Sequence, residues 1–273
     1  MNAKIVFIGA GNMASALIGG LIANGFPAQS LAATDIVASQ CEQLAQAFGI
    51  KSSTQVADIV AGAETIVLAV KPQQMLQVAR NLCPLLEAQL VISIAAGIRS
   101  EDLARWLNGY GKIVRVMPNT PALVRAGVSG MFARAEVSAD ERGRAEAILR
   151  AVGDALWVER EELIDAVTAI SGSGPAYVFY FIEAVRRAAL EMGFAPPDAQ
   201  RLVMGTFAGA VQLAQASPDD VAVLRERVTS KGGTTERALA SMEVDQVAAH
   251  VATAVHAALR RSVELGDELG KAG

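Results

Sequence analysis

Thirty consecutive residues, 5–34, carry no charged side chain, and glycine recurs among them at positions 9, 11, 19, 20 and 25. Lys4 ahead of such a run gives it the outline of a signal peptide or membrane anchor. The glycines, with Asn12 and Asn24, make it too polar and too interrupted for a lipid span, so no targeting or membrane segment is expected. A buried strand at 4–8, a glycine turn and a buried helix at 13–24 account for the missing charges. The turn reads Gly9-Ala10-Gly11-Asn12-Met13-Ala14, a G-x-G-x-x-A pattern between strand and helix. In that setting the first glycine makes the turn and the second leaves room for a pyrophosphate at the helix N-terminus. The small third residue lets helix and strand pack closely. The bare pattern is a weak signal; the strand before it and the helix after it make it a dinucleotide fingerprint.

The alternation continues downstream. Strand patterns at 31–35, 65–70, 90–94 and 113–117 alternate with helical patterns at 39–48, 73–86 and 100–107, and short strands at 129–132 and 155–158 flank a helix at 138–152. Continuous apolar strands separated by helices imply a parallel sheet covered on both faces, with right-handed crossovers. Beyond about residue 159 the strand signal ends, and 162–168, 175–192, 197–215, 219–228, 235–241 and 244–269 read as helices. The expected fold class is α/β: an N-terminal Rossmann-type doubly wound sheet over residues 1–160, followed by an all-helical C-terminal dimerisation domain over 161–273.

Composition sharpens that expectation. Apolar residues make up 52% of the 273 and charged residues 19%, more apolar surface than one globule needs, so a homo-oligomer is expected. Small residues such as Gly205, Ala208, Gly209 and Ala210 suit helices packed against several neighbours. A net charge of -4 without a basic cluster argues against a nucleic-acid partner. Cys41 and Cys83 have neither metal-site nor disulfide spacing, and both are expected to be buried and reduced, in keeping with a cytoplasmic protein. No metal site is expected: His250 and His256 stand roughly 240° apart around one helix, too far to share an ion, and read as surface residues.

Candidate ligand-binding residues cluster at strand ends. Asp35 closes its strand 21 residues after Ala14, where a carboxylate accepts from adenosine ribose hydroxyls and repels a 2′-phosphate. Of NADPH or NADH it therefore favours NADH, although Thr34 and Ser39 beside it offer hydroxyls to a phosphate; capping the next helix is the competing role. Val70-Lys71-Pro72, Ala95-Ala96-Gly97 and Met117-Pro118-Asn119-Thr120-Pro121 follow three further strands at their carboxyl ends, where open α/β sheets bind ligands. The cofactor set is thus Gly9, Gly11, Asn12, Met13, Thr34, Asp35, Val70, Lys71, Pro72, Ala95, Ala96, Gly97 and Asn119. For Lys71 a solvated loop position, and for Asn119 a turn-holding role, are equally open.

Two motifs lie outside the sheet pattern. Ser171-Gly172-Ser173-Gly174-Pro175-Ala176-Tyr177 opens a helix, with Pro175 suited to its first turn. Val228-Thr229-Ser230-Lys231-Gly232-Gly233-Thr234-Thr235 sets two glycines and four hydroxyls ahead of another helix, a seat for a small carboxylate or an ordinary capped helix start.

In their order, these motifs resemble those of the pyrroline-5-carboxylate reductases over nearly the whole chain: the Gly9 to Ala14 fingerprint, Val70-Lys71-Pro72, Met117 to Pro121, Ser171 to Tyr177 and Ser230 to Thr235. The resemblance implies NAD(P)H-dependent reduction of the imine of 1-pyrroline-5-carboxylate to L-proline. It implies an intertwined dimer through the helical domain, in some members assembled into a decamer. It makes Ser230, Gly232, Gly233, Thr234 and Thr235 the substrate-carboxylate segment, with Thr235 as the catalytic residue bonded to the ring nitrogen. Lys231 departs from the family, where many relatives have proline.

Two rivals are weighed against this. A β-hydroxyacid dehydrogenase resembles the same layout but carries a lysine acid after its glycine-rich helix start, and no lysine occurs here from Gly172 through Met192. A nicotinamide-binding regulator without chemistry has no use for the 230–235 segment. Glu183, isolated in an apolar helix, is expected to pair with Arg187 at i+4 rather than to donate a proton.

Overall fold

A computed structural model describes residues 4–271. The sheet builds from β1 (Ile5–Ile8), α1 (Asn12–Ala23), β2 (Leu31–Thr34), α2 (Ala38–Phe48), β3 (Lys51–Ser53), α3 (Ala57–Val60), β4 (Thr65–Leu68), α4 (Met75–Leu82), β5 (Leu90–Ser93), α5 (Ser100–Trp106) and β6 (Ile113–Met117). It is completed by β7 (Gly127–Ala133), α6 (Ala139–Arg150) and β8 (Gly153–Trp157). The spatial order is β3-β2-β1-β4-β5-β6-β7-β8, so the chain reverses its direction of build between β1 and β4. That reversal is the switch point at which such sheets open a crevice for ligands.

Strand residues alternate between two cores. Phe7, with Val114 and Val116, packs under α1 and α6. Val6, Ile66 and Leu68 pack under α4 and α5. Both faces are thereby covered, and this is why the central strands β1, β2, β4 and β5 are buried along their whole length rather than on alternate residues.

The expected all-parallel sheet needs one correction. β6 and β7 run antiparallel, whereas β7 and β8 are parallel again. Only residues 118–126 separate β6 from β7, with a short 3-10 turn at Thr120–Val124. That is too little chain for a parallel crossover, which takes about a dozen residues or more. The polar three-residue β3 and the four-residue α3 carry too little periodicity to read from sequence.

The remaining helices are α7 (Leu163–Val167), α8 (Gly174–Glu191), α9 (Pro196–Ala216), α10 (Val221–Arg227), α11 (Thr234–Val244) and α12 (Val247–Gly270), with a π-helical turn at Thr168–Gly172 before α8. The helix expected at 244–269 instead starts after a break, where Gln246 takes a left-handed φ of 51°. By packing, the chain forms two compact units: Met1–Ser173 with Ala257–Gly273, and Gly174–His256. This division differs from the 160/161 boundary read from the sequence, because α7 and the end of α12 pack with the sheet. No helix among the described residues is long and apolar enough to cross a membrane.

Candidate functional site

The glycine turn is built by two different constraints. Gly9 holds φ at 105°, and a Cβ there would stand 2.5 Å from the Ala69 carbonyl oxygen beyond β4, so only glycine lets the two strand ends approach. Gly11 has an ordinary φ of -79° as N-cap of α1, and a Cβ on it would meet nothing within 4 Å. Its lack of a side chain is not needed for packing; it leaves open space above a helix start that has neither a capping side chain nor an acid in its first turn. Such a start suits a pyrophosphate. Asn12 is exposed, Met13 is half-buried, and Ala14 is fully buried between helix and sheet.

Beside this turn lies a cleft of about 330 Å³. It brings together four of the expected cofactor residues, Gly9, Thr34, Asp35 and Val70, and Asp35 is the one charged residue on its lining among the described residues. The Asp35 carboxylate braces the turn: Oδ2 accepts the Ala10 N–H at 2.8 Å and Oδ1 the Val37 N–H at 3.0 Å. From below, the Cys41 thiol, with its single proton shared between the Asp35 and Ser53 carbonyls at 3.4 Å, accepts the Asp35 N–H at 3.2 Å. Burial, with Asp35 close by, pushes that thiol's pKa up, so it stays protonated as a packing group. Both cysteines are free, but Cys83, expected to be buried, is only half-buried because it opens a 3-10 turn with Pro84.

Sequence reasoning missed the opposite wall, where Gln73, Gln77 and Asn81 line the cleft with Val56 and Val78. The three amides repeat every fourth residue, and Gln77 donates to Asn81 at 2.9 Å. That polar row on an otherwise apolar helix pattern was a readable signal.

The other expected cofactor residues lie outside this cleft. Lys71 is exposed, and Pro72 starts the 3-10 turn Pro72–Gln74. Ala95 and Gly97 are buried and Ala96 half-buried. Gly97 has φ 73°, which by itself favours glycine, and a would-be Cβ there would also come within 3.0 Å of Leu269 Cδ1 on α12, so its glycine is explained by backbone conformation and packing. Asn119 has both ends of its amide occupied, donating to the Ser171 carbonyl at 3.1 Å and accepting the Val128 N–H at 2.9 Å. Of its two open roles, the turn-holding one is what these bonds perform.

These strand-end loops are stitched together from beneath. Arg115, only 2% exposed on β6, reaches Glu161 at 3.2 Å and Asp165 at 3.3 Å. Glu161 also accepts the Ser100 N–H at the start of α5, and Asp165 accepts the Ser262 hydroxyl from α12. A buried guanidinium shared between carboxylates that are themselves hydrogen-bonded fixes loop position rather than adding much net stability.

The 230–235 segment belongs to the helical unit. Gly232 takes φ 73°, and Gly233 is the N-cap of α11 without a side-chain cap, which places Thr234 and Thr235 in the first turn. The two glycine amides are already occupied within the segment and the first turn of α11. Gly233 N–H donates to the Ser230 carbonyl at 3.0 Å, and Gly232 N–H donates to Glu236 Oε2 at 2.6 Å. With Glu236 in this position, the hydroxyls and the first-turn amides of Thr234 and Thr235, which have no intrahelical acceptor, are what the segment offers a ligand; the Gly232 amide joins them only when Glu236 moves off it. Glu183 pairs with Arg187 at 3.3 Å, as expected from their spacing. Both histidines are exposed, and no cluster among the described residues suits a metal ion.

Comparison with known proteins bears on this geometry directly. Residues 161–265 match the model for pyrroline-5-carboxylate reductase dimerisation, and residues 4–97 match that for NADP oxidoreductase, coenzyme F420-dependent. A pyrroline-5-carboxylate reductase of Pseudomonas aeruginosa is 48% identical over 98% of each chain. The solved structure of a pyrroline-5-carboxylate reductase from Coxiella burnetii superposes with a TM-score of 0.92 at 38% identity, covering 97% of this chain and 99% of that one. That of a Plasmodium falciparum pyrroline carboxylate reductase with NADP bound gives a TM-score of 0.86 at 30% identity, covering 97% and 98%. With full-length identity of this order and the same two-part layout, the chain belongs to the pyrroline-5-carboxylate reductase family.

Proposed function

We infer that this chain reduces the C=N bond of 1-pyrroline-5-carboxylate to give L-proline, with a nicotinamide cofactor supplying the hydride. The observation that carries the reading is the pairing, on one chain of this family, of an uncapped helix start over the open face of Gly11 with the hydroxyl-rich turn before α11. Gly9, Gly11, Asn12 and Met13 hold the pyrophosphate at the start of α1, and Thr34, Asp35 and Val70 line the adenosine side. Lys71, Pro72, Ala95, Ala96 and Gly97 shape the loops towards the nicotinamide, with Asn119 acting as a positioning residue through Ser171 and Val128. Ser230, Gly232, Gly233, Thr234 and Thr235 form the substrate segment, in which Thr235 bonds the ring nitrogen and the backbone amides at and just before the start of α11 take the carboxylate.

The chemistry asks little of the protein as an acid. A cyclic imine nitrogen is basic and takes its proton from water, and the iminium carbon then accepts the hydride. α8 accordingly lacks the lysine acid that marks the β-hydroxyacid dehydrogenases. Catalysis rests on orientation and on binding the carboxylate.

The cofactor preference we propose is for NADH. Each Asp35 oxygen, although it accepts a backbone N–H, keeps a lone pair for a ribose hydroxyl, and among the described residues no lysine or arginine lines the cleft to receive a 2′-phosphate. Steady-state reduction of 1-pyrroline-5-carboxylate with each cofactor tests both claims. Turnover with a higher kcat/KM for NADH is expected; an absence of turnover removes the function, and a strong NADPH preference removes the role of Asp35. We further propose a cytoplasmic enzyme, consistent with its free cysteines, and a dimer through the helical unit that assembles into a decamer.

A further inference from the structure

The turn before α11 already contains a carboxylate. Glu236, the third residue of the helix, folds back so that Oε2 lies 2.6 Å from the Gly232 N–H. This is not the usual capping box, in which the third residue takes the N–H of the N-cap itself. The usual form occurs in α6 of the same chain, where Glu141 accepts the N-cap Ser138 N–H at 2.9 Å. In α11 the N-cap amide of Gly233 is bonded to the Ser230 carbonyl, and Glu236 reaches one residue further, to a glycine with φ 73°.

We propose that Glu236 is a specificity-determining residue of the substrate seat: its carboxylate occupies the Gly232 amide in the free enzyme and yields it to the carboxylate of the incoming substrate. The inference rests on the reading of 230–235 as the substrate segment. Two carboxylates cannot share one N–H donor, and like charges so close repel each other. The Glu236 side chain is exposed in the protomer, so it swings aside without repacking the helix. A ligand must therefore bring more than a carboxylate to displace it. A cyclic imino acid does so, through the bond between its ring nitrogen and Thr235, whereas a simple carboxylate does not. The internal carboxylate thus discriminates against small anions, and its cost is a raised KM for the true substrate.

The test compares Glu236→Gln, which keeps shape and acceptor but removes the charge, with Glu236→Ala, which removes both. The KM for 1-pyrroline-5-carboxylate is expected to fall about threefold in the first and about tenfold in the second, as for loss of a charged competitor for one hydrogen bond. Both kcat and the cofactor KM stay within about twofold, because removing a ground-state competitor changes binding alone. Acetate is expected to leave the wild type uninhibited and to become a competitive inhibitor of Glu236→Ala. An unchanged or raised substrate KM in both variants makes Glu236 a helix cap and overturns the proposal. If Glu236→Ala does not fold, the isosteric Glu236→Gln decides by the same criterion. Thr235→Ala runs alongside: a raised KM there with no fall in the Glu236 variants overturns this inference alone, whereas no change in Thr235→Ala overturns the substrate segment as well.

Discussion

The sheet unit and the helical unit solve the problem of burying apolar surface in opposite ways. In the first, Phe7, Leu17, Ile18, Ile66 and Leu90 are completely buried by other parts of the same protomer. In the second, Ala199 and Val203 are the only buried residues among those described, while Phe179, Tyr180 and Met192 are 64%, 71% and 77% exposed. Each large side chain left in water forgoes roughly 1.5–3 kcal/mol of burial, so the helical unit cannot owe its order to one protomer. The core of the sheet unit is therefore a property of the chain, and that of the helical unit a property of the assembly.

The sharpest way to break this comparison is Tyr180→Asp, which places a charge on the apolar cavity of about 530 Å³ that Tyr180 lines with Phe181 and Val251. Dimer and activity are expected to be lost together in sedimentation and turnover assays while the cofactor still binds. A fully active monomer would show that the helical unit is complete alone.

A smaller effect separates packing from ligand space within the sheet unit. Gly9→Ala forces a Cβ to 2.5 Å from a backbone oxygen, and should both lower the thermal midpoint and cut cofactor affinity by about a hundredfold or more. Gly11→Ala has room and an ordinary φ, so the midpoint should stay within about 2 °C while affinity drops about tenfold. Equal melting losses in the two variants would contradict the assignment of Gly11 to ligand space.

The smallest effect concerns α6. Burial alone would raise the Glu141 carboxyl pKa, but bonds from Lys112 and Ser138 outweigh it and hold the value below the ordinary range. Because the folded pKa is the lower one, Glu141 stabilises the fold above the ordinary carboxylate pKa, and this is lost as pH falls through the depressed value. Glu141→Gln should cost about 1 kcal/mol in denaturant melts at pH 7, and the gap should close on acidification below about pH 4. A gap that persists at low pH would assign the loss to packing.

Much of this contrast was legible in the sequence. The uncharged 5–34 run fixed strand, turn and helix, because burial on both sides leaves no room for charge. The exposed helices were foreshadowed by an apolar content too high for one globule. What stayed hidden depends on contacts distant in sequence. The antiparallel β7, the Arg115 bridges to Glu161 and Asp165, and the packing of Gly97 under Leu269 are set by chain closure and tertiary fit, which leave no local periodicity. The same holds for the glycine amides before α11: the Gly-Gly pair announced a turn, but not that Glu236 and Ser230 would already occupy its donors.

The central claim is a division of labour, with cofactor held by the sheet unit and substrate by the turn before α11. Thr235→Ala tests it most directly when NADH binding, followed by nicotinamide fluorescence, is measured beside steady-state reduction of 1-pyrroline-5-carboxylate. The account predicts kcat/KM for the imine lowered about tenfold or more, the size of one lost hydrogen bond to a charged group, with the NADH Kd unchanged within about twofold. An unchanged kcat/KM, or an NADH Kd weakened to the same degree, would contradict it.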